Sequence, residues 1–230
     1  PNVLDDQNIQ KSEGIWGRYS LPETYHFTAH SLLSSAIAAW PEAPTVLLRE
    51  HYRCHPKIIN FCNQKFYGGK LIVMTEDHEE PDVLTMYRTA PGNHARGHLN
   101  QRQIDVIRQE ILPSLERQGY GSIGIITPYR DQVTAIQTQL GKKLEVATVH
   151  KFQGREKDAI VLTSVDNVIT DFVDDPRMLN VAVSRAVKSL TVITSQDPQN
   201  DRTNYGDLAR YIEYNNCAVI ESAVYSVFDL

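Results

Sequence analysis

The sequence predicts an α/β protein: a three-layer parallel sheet with helices on both faces. Three observations carry that prediction. Short apolar runs such as Ser122–Thr127 (SIGIIT), Ala159–Val165 and Ser189–Thr194 (SLTVIT) have the continuous apolar character of strands buried on both sides. Between them lie segments with apolar residues at helical spacing, among them Ile104, Ile107, Ile111 and Leu115. The two kinds of segment alternate along the chain, as crossover-connected parallel strands require.

Taken in order, residues 1–40 are poorly periodic. Ser12–Pro22 is rich in Gly, Ser and aromatic residues and reads as an irregular connector, whereas Ser31–Trp40 reads as a short helix capped by Ser31 and stopped before Pro41. Regular patterning begins at Thr45, where TVLL is a buried-strand candidate. Pro56–Tyr67 is a helix with proline in its first turn, closed by Gly68-Gly69. An acidic, solvated loop at Glu76–Pro81, a strand at Asp82–Tyr87 and a loop at Gly92–Gly97 follow. The helix Gln101–Leu115 has its last turn disturbed by Pro113. Beyond SIGIIT come a helix over Asp131–Leu140 and strands at Glu145–Val149 and Ala159–Val165. Asp175-Pro176 caps a further helix, then follow SLTVIT, a helix over Tyr205–Tyr214 and a strand from Ala218. We expect residues 1–44 to form a connector and 45–230 one large domain, with no internal repeat.

Composition narrows the function. A chain of 230 residues can bury a full core. Its net charge of −5 argues against a dedicated high-affinity nucleic-acid binder, which needs cations to neutralise phosphates, but leaves room for a local basic groove. No apolar run reaches membrane-spanning length, and the N-terminus lacks the pattern of a signal peptide. Three unevenly spaced cysteines are too few for a disulfide framework, so an intracellular, cytoplasmic setting is expected. A first residue of proline suggests a fragment or processed product.

Ligands of parallel sheets bind beyond the carboxyl ends of the strands, and three polar segments are expected there. Ile126–Gln132 (ITPYRDQ) offers exposed Thr127, Tyr129, Arg130 and Gln132, a set that also suits an ordinary strand-to-helix turn directed by Pro128. Thr148–Asp158 (TVHKFQGREKD) gathers Gln153, Arg155, Glu156 and Lys157 around Gly154, which permits close backbone approach to a ligand; a mixed-charge surface loop is the alternative. In Met178–Ala186 (MLNVAVSRA), Leu179, Ala182, Val183 and Ala186 form the buried stripe of a helix. Arg185 sits at the stripe's edge, placed either as a surface arginine or to meet charge on a transferring phosphoryl group. A fourth segment, Glu50–Phe61, sets Tyr52 and Arg53 just before a helix start. His51, Cys54, His55 and Cys62 invite a zinc reading, which fails for want of a second paired cluster; no metal site is expected. The chain holds no GxxxxGK[ST], hence no phosphate-cradling loop, and no acidic segment of Walker-B type.

In order and spacing, EHYRCHPKIINFCNQKFYGGKL, SIGIITPYRDQV, TVHKFQGREKDAIVLTSV and DPRMLNVAVSRAVKSLTVI resemble the second RecA-like domain of superfamily 1 helicases. The match is to the group that includes the nonsense-mediated-decay RNA helicase and its DNA-acting relatives, and it covers roughly residues 45–195. Pro1-Asn2-Val3 resembles the tail of that family's third motif. The resemblance implies a RecA-like, P-loop NTPase fold without the P-loop. It implies that Arg53 and Arg185 reach the γ-phosphate across an interdomain cleft, that Tyr52 flanks the nucleotide, and that Gly154 and Glu156, supported by Gln153, contact the phosphate or ribose. It further implies that Thr127, Pro128 and Tyr129, with Thr148, Val149 and His150, touch single-stranded DNA or RNA. ATP and Mg2+ would be held mainly by the N-terminal RecA-like domain of the same parent chain, without which this chain is not catalytically competent. Cys54 stands where the family commonly has methionine, and Val187 where a further basic residue often follows. The competing expectation is a non-catalytic nucleic-acid or protein interaction module that kept the fold; a dinucleotide enzyme is disfavoured by the lack of GxGxxG.

Overall fold

The computed structural model describes residues 6–90, 92, 95–141 and 144–225. The chain forms two compact units, Pro1–Leu48 and Arg49–Leu230. The motif tail expected at Pro1-Asn2-Val3 lies outside the described residues.

The first unit holds helices α1 (Asp6–Tyr19) and α2 (Leu32–Ala39). Helix α1 replaces the irregular connector expected from Ser12. It buries no residue, so its sequence carries no apolar stripe to announce it, while Asp6 and Arg18 suit the two ends of the helix dipole. Helix α2 is closed as expected by Ser31, in a reciprocal capping box with Ser34. TVLL is not a strand: Val46 and Leu48 are 82% and 87% exposed, and no described strand pairs with it.

The second unit is built on six strands: β3 (Leu84–Thr89), β6 (Ile123–Thr127), β7 (Glu145–Thr148), β8 (Lys157–Thr163), β9 (Ala186–Ser195) and β10 (Ala218–Glu221). They lie in the order β10-β3-β9-β8-β6-β7 with every pair parallel. Two small ribbons accompany the sheet. One is the parallel pair β1 (Glu50–His51) and β2 (Ile72–Val73), the other the hairpin β4 (Ala95–Arg96) and β5 (Leu99–Asn100). The hairpin occupies the end of the expected Gly92–Gly97 loop and turns at Gly97-His98, where Gly97 has φ +58°.

Side chains alternate across the sheet, so each strand feeds two cores. Ile160 and Leu162 of β8 face Ile58 and Cys62 of helix α3 (Pro56–Phe66), Phe152 of α7 (Val149–Phe152), Leu179 of α8 (Pro176–Val183) and Leu208 of α9 (Asn204–Tyr214). Val161 faces the other way, toward Ile104, Ile107 and Ile111 of a long helix and Ile136 of α6 (Arg130–Leu140). The long helix comprises α4 (Gln101–Val106), a π turn (Ile107–Ile111) and α5 (Leu112–Arg117). It runs through Pro113 as expected, and the disturbance takes the form of a wide turn just before the proline, which accommodates the missing backbone donor. Gly124 leaves room for this packing: a Cβ there would lie 2.8 Å from Phe152 Cζ.

This distribution of helices creates crevices. The helix after β6 packs on one face of the sheet and the helix after β8 on the other. Loops leaving these adjacent strands therefore diverge, and open a gap at their carboxyl ends, the usual ligand position in such sheets.

Candidate functional site

The polar segments do not all gather at the carboxyl edge. The Gln153–Glu156 turn runs into Lys157, the first residue of β8, and Arg185 immediately precedes Ala186, the first residue of β9. Each follows a helix that has already carried the chain back across the sheet, so both arrive at the amino edge. Nor does Arg185 lie on the helix. Helix α8 ends at Val183, Ser184 caps it, and Ala186, expected in the helical stripe, opens β9 three residues before the expected strand start at Ser189.

At this amino edge Arg53, Glu156 and Arg185 converge. Arg53 Nε lies 3.6 Å from Glu156 Oε2, with both side chains nearly half exposed. Half-buried Arg185 donates from Nε to the Val181 carbonyl at 3.1 Å and from Nη2 to Ser184 Oγ at 3.0 Å. The Cys54 thiol donates to the Ser184 carbonyl at 3.4 Å, and the His55 N–H to the Val187 carbonyl at 2.7 Å. These two bonds fix the Tyr52-Arg53 turn against the Arg185 turn. Burial, and next the neighbouring Arg53 charge, lowers the pKa of Arg185; Glu156 opposes the shift. His51 is lowered by burial and by the same two arginines. Two guanidinium groups thus face one carboxylate, which leaves the corner with unbalanced positive charge and a capacity for an anion.

The other predicted members are distributed around this corner. Tyr52 is two-thirds exposed and donates its hydroxyl to the Glu50 carboxylate. Gln153 and Gly154 are exposed; at φ +81° Gly154 has open space where a Cβ would stand, so backbone conformation rather than crowding calls for glycine. Arg155 and Lys157 both pair with the one carboxylate of Glu145, at 3.0 and 2.7 Å. Lys157 foremost holds the Glu145 carboxyl below its ordinary value. The acidic loop is likewise engaged. Glu80 and Asp77 lie 3.2 and 3.4 Å from His55 Nε2, while His55 Nδ1 accepts from the Lys57 N–H and caps α3.

The carboxyl edge holds ITPYRDQ and Thr148–His150, and corrects two expectations about them. Thr127 and Gln132 were expected exposed but are fully buried. Gln132 accepts from the Asn100 N–H at 2.9 Å and donates to its carbonyl at 3.3 Å, clamping hairpin β4–β5 to α6. Thr148 and Val149 are also buried, so only their backbone is available to a ligand; Arg130 and His150 are exposed, and Pro128 is half-buried. Tyr129 is half-buried and donates to Asp166 Oδ2 at 2.8 Å. Its ring stacks on His98 at 4.2 Å and on Phe172 at 5.6 Å. His98, Asp166 and Phe172 escaped the sequence reading because each is an isolated polar or aromatic residue in a loop, brought to Tyr129 by topology alone.

A parallel sheet carrying the YR, ITPYR, QGRE and VSRA blocks in this order is that of a helicase-family domain, the C-terminal RecA-like domain of the superfamily 1 type. The family described as AAA domain matches residues 28–197, and the chain belongs to that family. Among its relatives, the 5'-3' DNA helicase ZGRF1 of Mus musculus is 29% identical over 187 residues, covering 73% of this chain and 10% of that protein. The Regulator of nonsense transcripts 1 homolog of Neurospora crassa is 31% identical over 179 residues, 64% of this chain and 16% of that protein. The Probable helicase with zinc finger domain of Homo sapiens is 26% identical over 234 residues, 83% of this chain and 12% of that protein. The chain therefore spans only about a tenth to a sixth of the length of these relatives. A solved C-terminal domain of a possible DNA helicase from Lactobacillus aligns over 67% of this chain and 95% of its own, at 17% identity and TM-score 0.45.

Proposed function

We propose that this chain is the γ-phosphate-sensing half of an ATP-driven motor that moves along single-stranded nucleic acid. The observation that carries the reading is the convergence of Arg53, Glu156 and Arg185 with one positive charge in excess. An anion delivered by a facing domain satisfies that excess. A domain bearing GxxxxGK[ST], which this chain lacks, holds the nucleotide and its Mg2+ and presents the γ-phosphoryl group. Arg185 then leaves its own helix end and Arg53 leaves Glu156 for the phosphate, which draws the two domains together. Glu156, freed from Arg53, is in place for a ribose hydroxyl or a phosphate-bound water, with Tyr52 beside the nucleotide. After hydrolysis the attraction falls and the cleft opens, so that alternate closure and opening advance two strand-gripping domains.

The test is nucleotide turnover by a protein that joins this chain to its nucleotide-holding domain. Strand-stimulated turnover is expected there and not in the isolated chain. Arg185→Ala should lower kcat by about 10³-fold or more, as removal of an arginine finger does, with the fold intact by circular dichroism. Unchanged turnover in that variant defeats the arginine assignment. If the joined wild-type protein turns over no nucleotide at all, the interaction-module reading takes its place.

A further inference from the structure

One tie in the arginine corner depends on where a proton sits. Arg53 is nearly half exposed and reaches Glu156 at a loose 3.6 Å, so its aim is set by the backbone that carries it. Hydrogen bonds on either side fix that backbone. The His51 carbonyl accepts from the Met74 N–H at 2.9 Å, and the Cys54 carbonyl accepts from Thr75 Oγ1 at 2.7 Å. The His55 N–H donates to the Val187 carbonyl at 2.7 Å. A further bond closes the turn on itself: the Cys54 N–H donates to Nε2 of the His51 imidazole, 2.9 Å away. Tyr52 and Arg53 are the two residues that this last bond encloses.

The amides, carbonyls and hydroxyl among these partners do not titrate near neutral pH. The Cys54 thiol, which donates to Ser184, is pushed up to about 11 by burial and stays a donor. The imidazole is different. A ring nitrogen that accepts an N–H keeps its lone pair, so neutral His51 carries its one proton on Nδ1. A second proton can enter only at Nε2, where it takes that lone pair and leaves the Cys54 N–H without its acceptor. The surroundings hold this proton off. Burial of the half-buried ring lowers its pKa, and so do Arg53 in its own turn and Arg185 in the turn before β9. Glu156, the opposing charge at the corner, is engaged with Arg53.

We infer that His51 is a positioning residue for the phosphate sensor: its neutral imidazole holds the turn that aims Arg53, and a proton at Nε2 releases it. This role deepens the motor reading and rests on it. Protonation has two opposed effects. It adds a third cation to the corner, which favours a bound anion, and it loosens the turn that presents Arg53 to the transferring phosphoryl group. Nucleotide binding should therefore hold or tighten in mild acid while turnover falls. An acceptor that cannot be protonated would separate the two effects, because it keeps the turn closed at every pH.

The test has a spectroscopic and a kinetic arm. In the 230-residue chain, long-range 1H–15N spectra should show His51 as the Nδ1–H tautomer at neutral pH, with a titration midpoint below the ordinary histidine value of about 6.5. An Nε2–H tautomer, or a charged ring at neutral pH, overturns the role of His51 and leaves the motor reading standing. In the protein that joins this chain to its nucleotide-holding domain, kcat should decline in mild acid without a rise in KM. His51→Ala should lower kcat at neutral pH by about ten- to hundred-fold, within the cost of misplacing a catalytic group by about 1 Å. His51→Gln, which supplies an uncharged acceptor oxygen, should recover most of that loss and decline less in acid than wild type. Wild-type turnover in His51→Ala, or an undiminished acid decline in His51→Gln, overturns the role of His51 alone. A joined wild type that turns over no nucleotide at any pH overturns the motor reading and this role together.

Discussion

Val165 has φ +66°, a conformation that a β-branched residue adopts only when its surroundings impose it. Two side chains impose it here. Its N–H donates to Gln103 Oε1 at 3.0 Å, and its carbonyl accepts from Asn100 Nδ2 at 2.7 Å. Gln103 is fully buried, also takes the Thr163 hydroxyl, and donates to Ser164 Oγ at 3.3 Å. The strained residue lies immediately before Asp166, which orients Tyr129. Gln103→Ala would strip a buried backbone donor and a buried hydroxyl of their acceptor. Urea unfolding should therefore show a loss of about 1–3 kcal/mol, and a loss within experimental error would contradict this account. Nothing in the sequence marked Gln103, which sits beside the apolar positions of a helix and looks like a solvent-facing residue. Its role depends on a strand 60 positions away that only the folded sheet brings close. Arg53 and Arg185 stood out for the opposite reason: each lies in a compact block of polar residues, and the fold brings the two side chains to one corner.

Whole elements were legible where burial wrote a pattern into them. Helix α8 shows it, with Asp175-Pro176 at its start and Met178, Leu179, Ala182 and Val183 buried. Helix α1 buries nothing and had no such pattern. The end of α8 was misjudged because Ala186 satisfies both the helical stripe and the first position of a buried strand. Asp175 accepts from the Arg177 and Met178 N–H groups at 2.8 and 3.3 Å, and the Arg177 side chain foremost holds its carboxyl below the ordinary aspartate value. Asp175→Ala should cost about 1 kcal/mol near neutral pH, the usual worth of an N-cap. The sign follows from the depressed pKa. The ionised cap stabilises fully above the unfolded aspartate value of about 3.9 and loses its effect as pH falls through the lower folded value. Thermal melts of variant and wild type should be separated at pH 7 and converge under strong acid. A gap that widens on acidification would rule out the cap.

At the scale of the whole molecule, the sheet separates two kinds of chemistry. Helix-to-strand turns put Arg53's partners Glu156 and Arg185 at the amino edge, while strand-to-helix loops put Tyr129 and its stack at the carboxyl edge. The four sequence blocks alone did not reveal this split, because QGRE belongs to the same short segment as Thr148–His150 and α7 is only one turn long. Separation has a measurable electrostatic consequence. Arg155 and Lys157 share the Glu145 carboxylate at the starts of β7 and β8, the same edge as the arginine corner, so few cations are left among the described residues to meet a strand lying over the carboxyl ends of β6 and β7. Arg130 and Lys151 are two exposed ones there, and about 0.7 counterions are released from a single strand for each phosphate neutralised. The logarithm of strand affinity should then fall against the logarithm of salt with a slope near −1.4. Arg130→Ala should flatten the slope. A slope steeper than about −4 would mean that about six or more phosphates are neutralised, and that the grip is electrostatic after all.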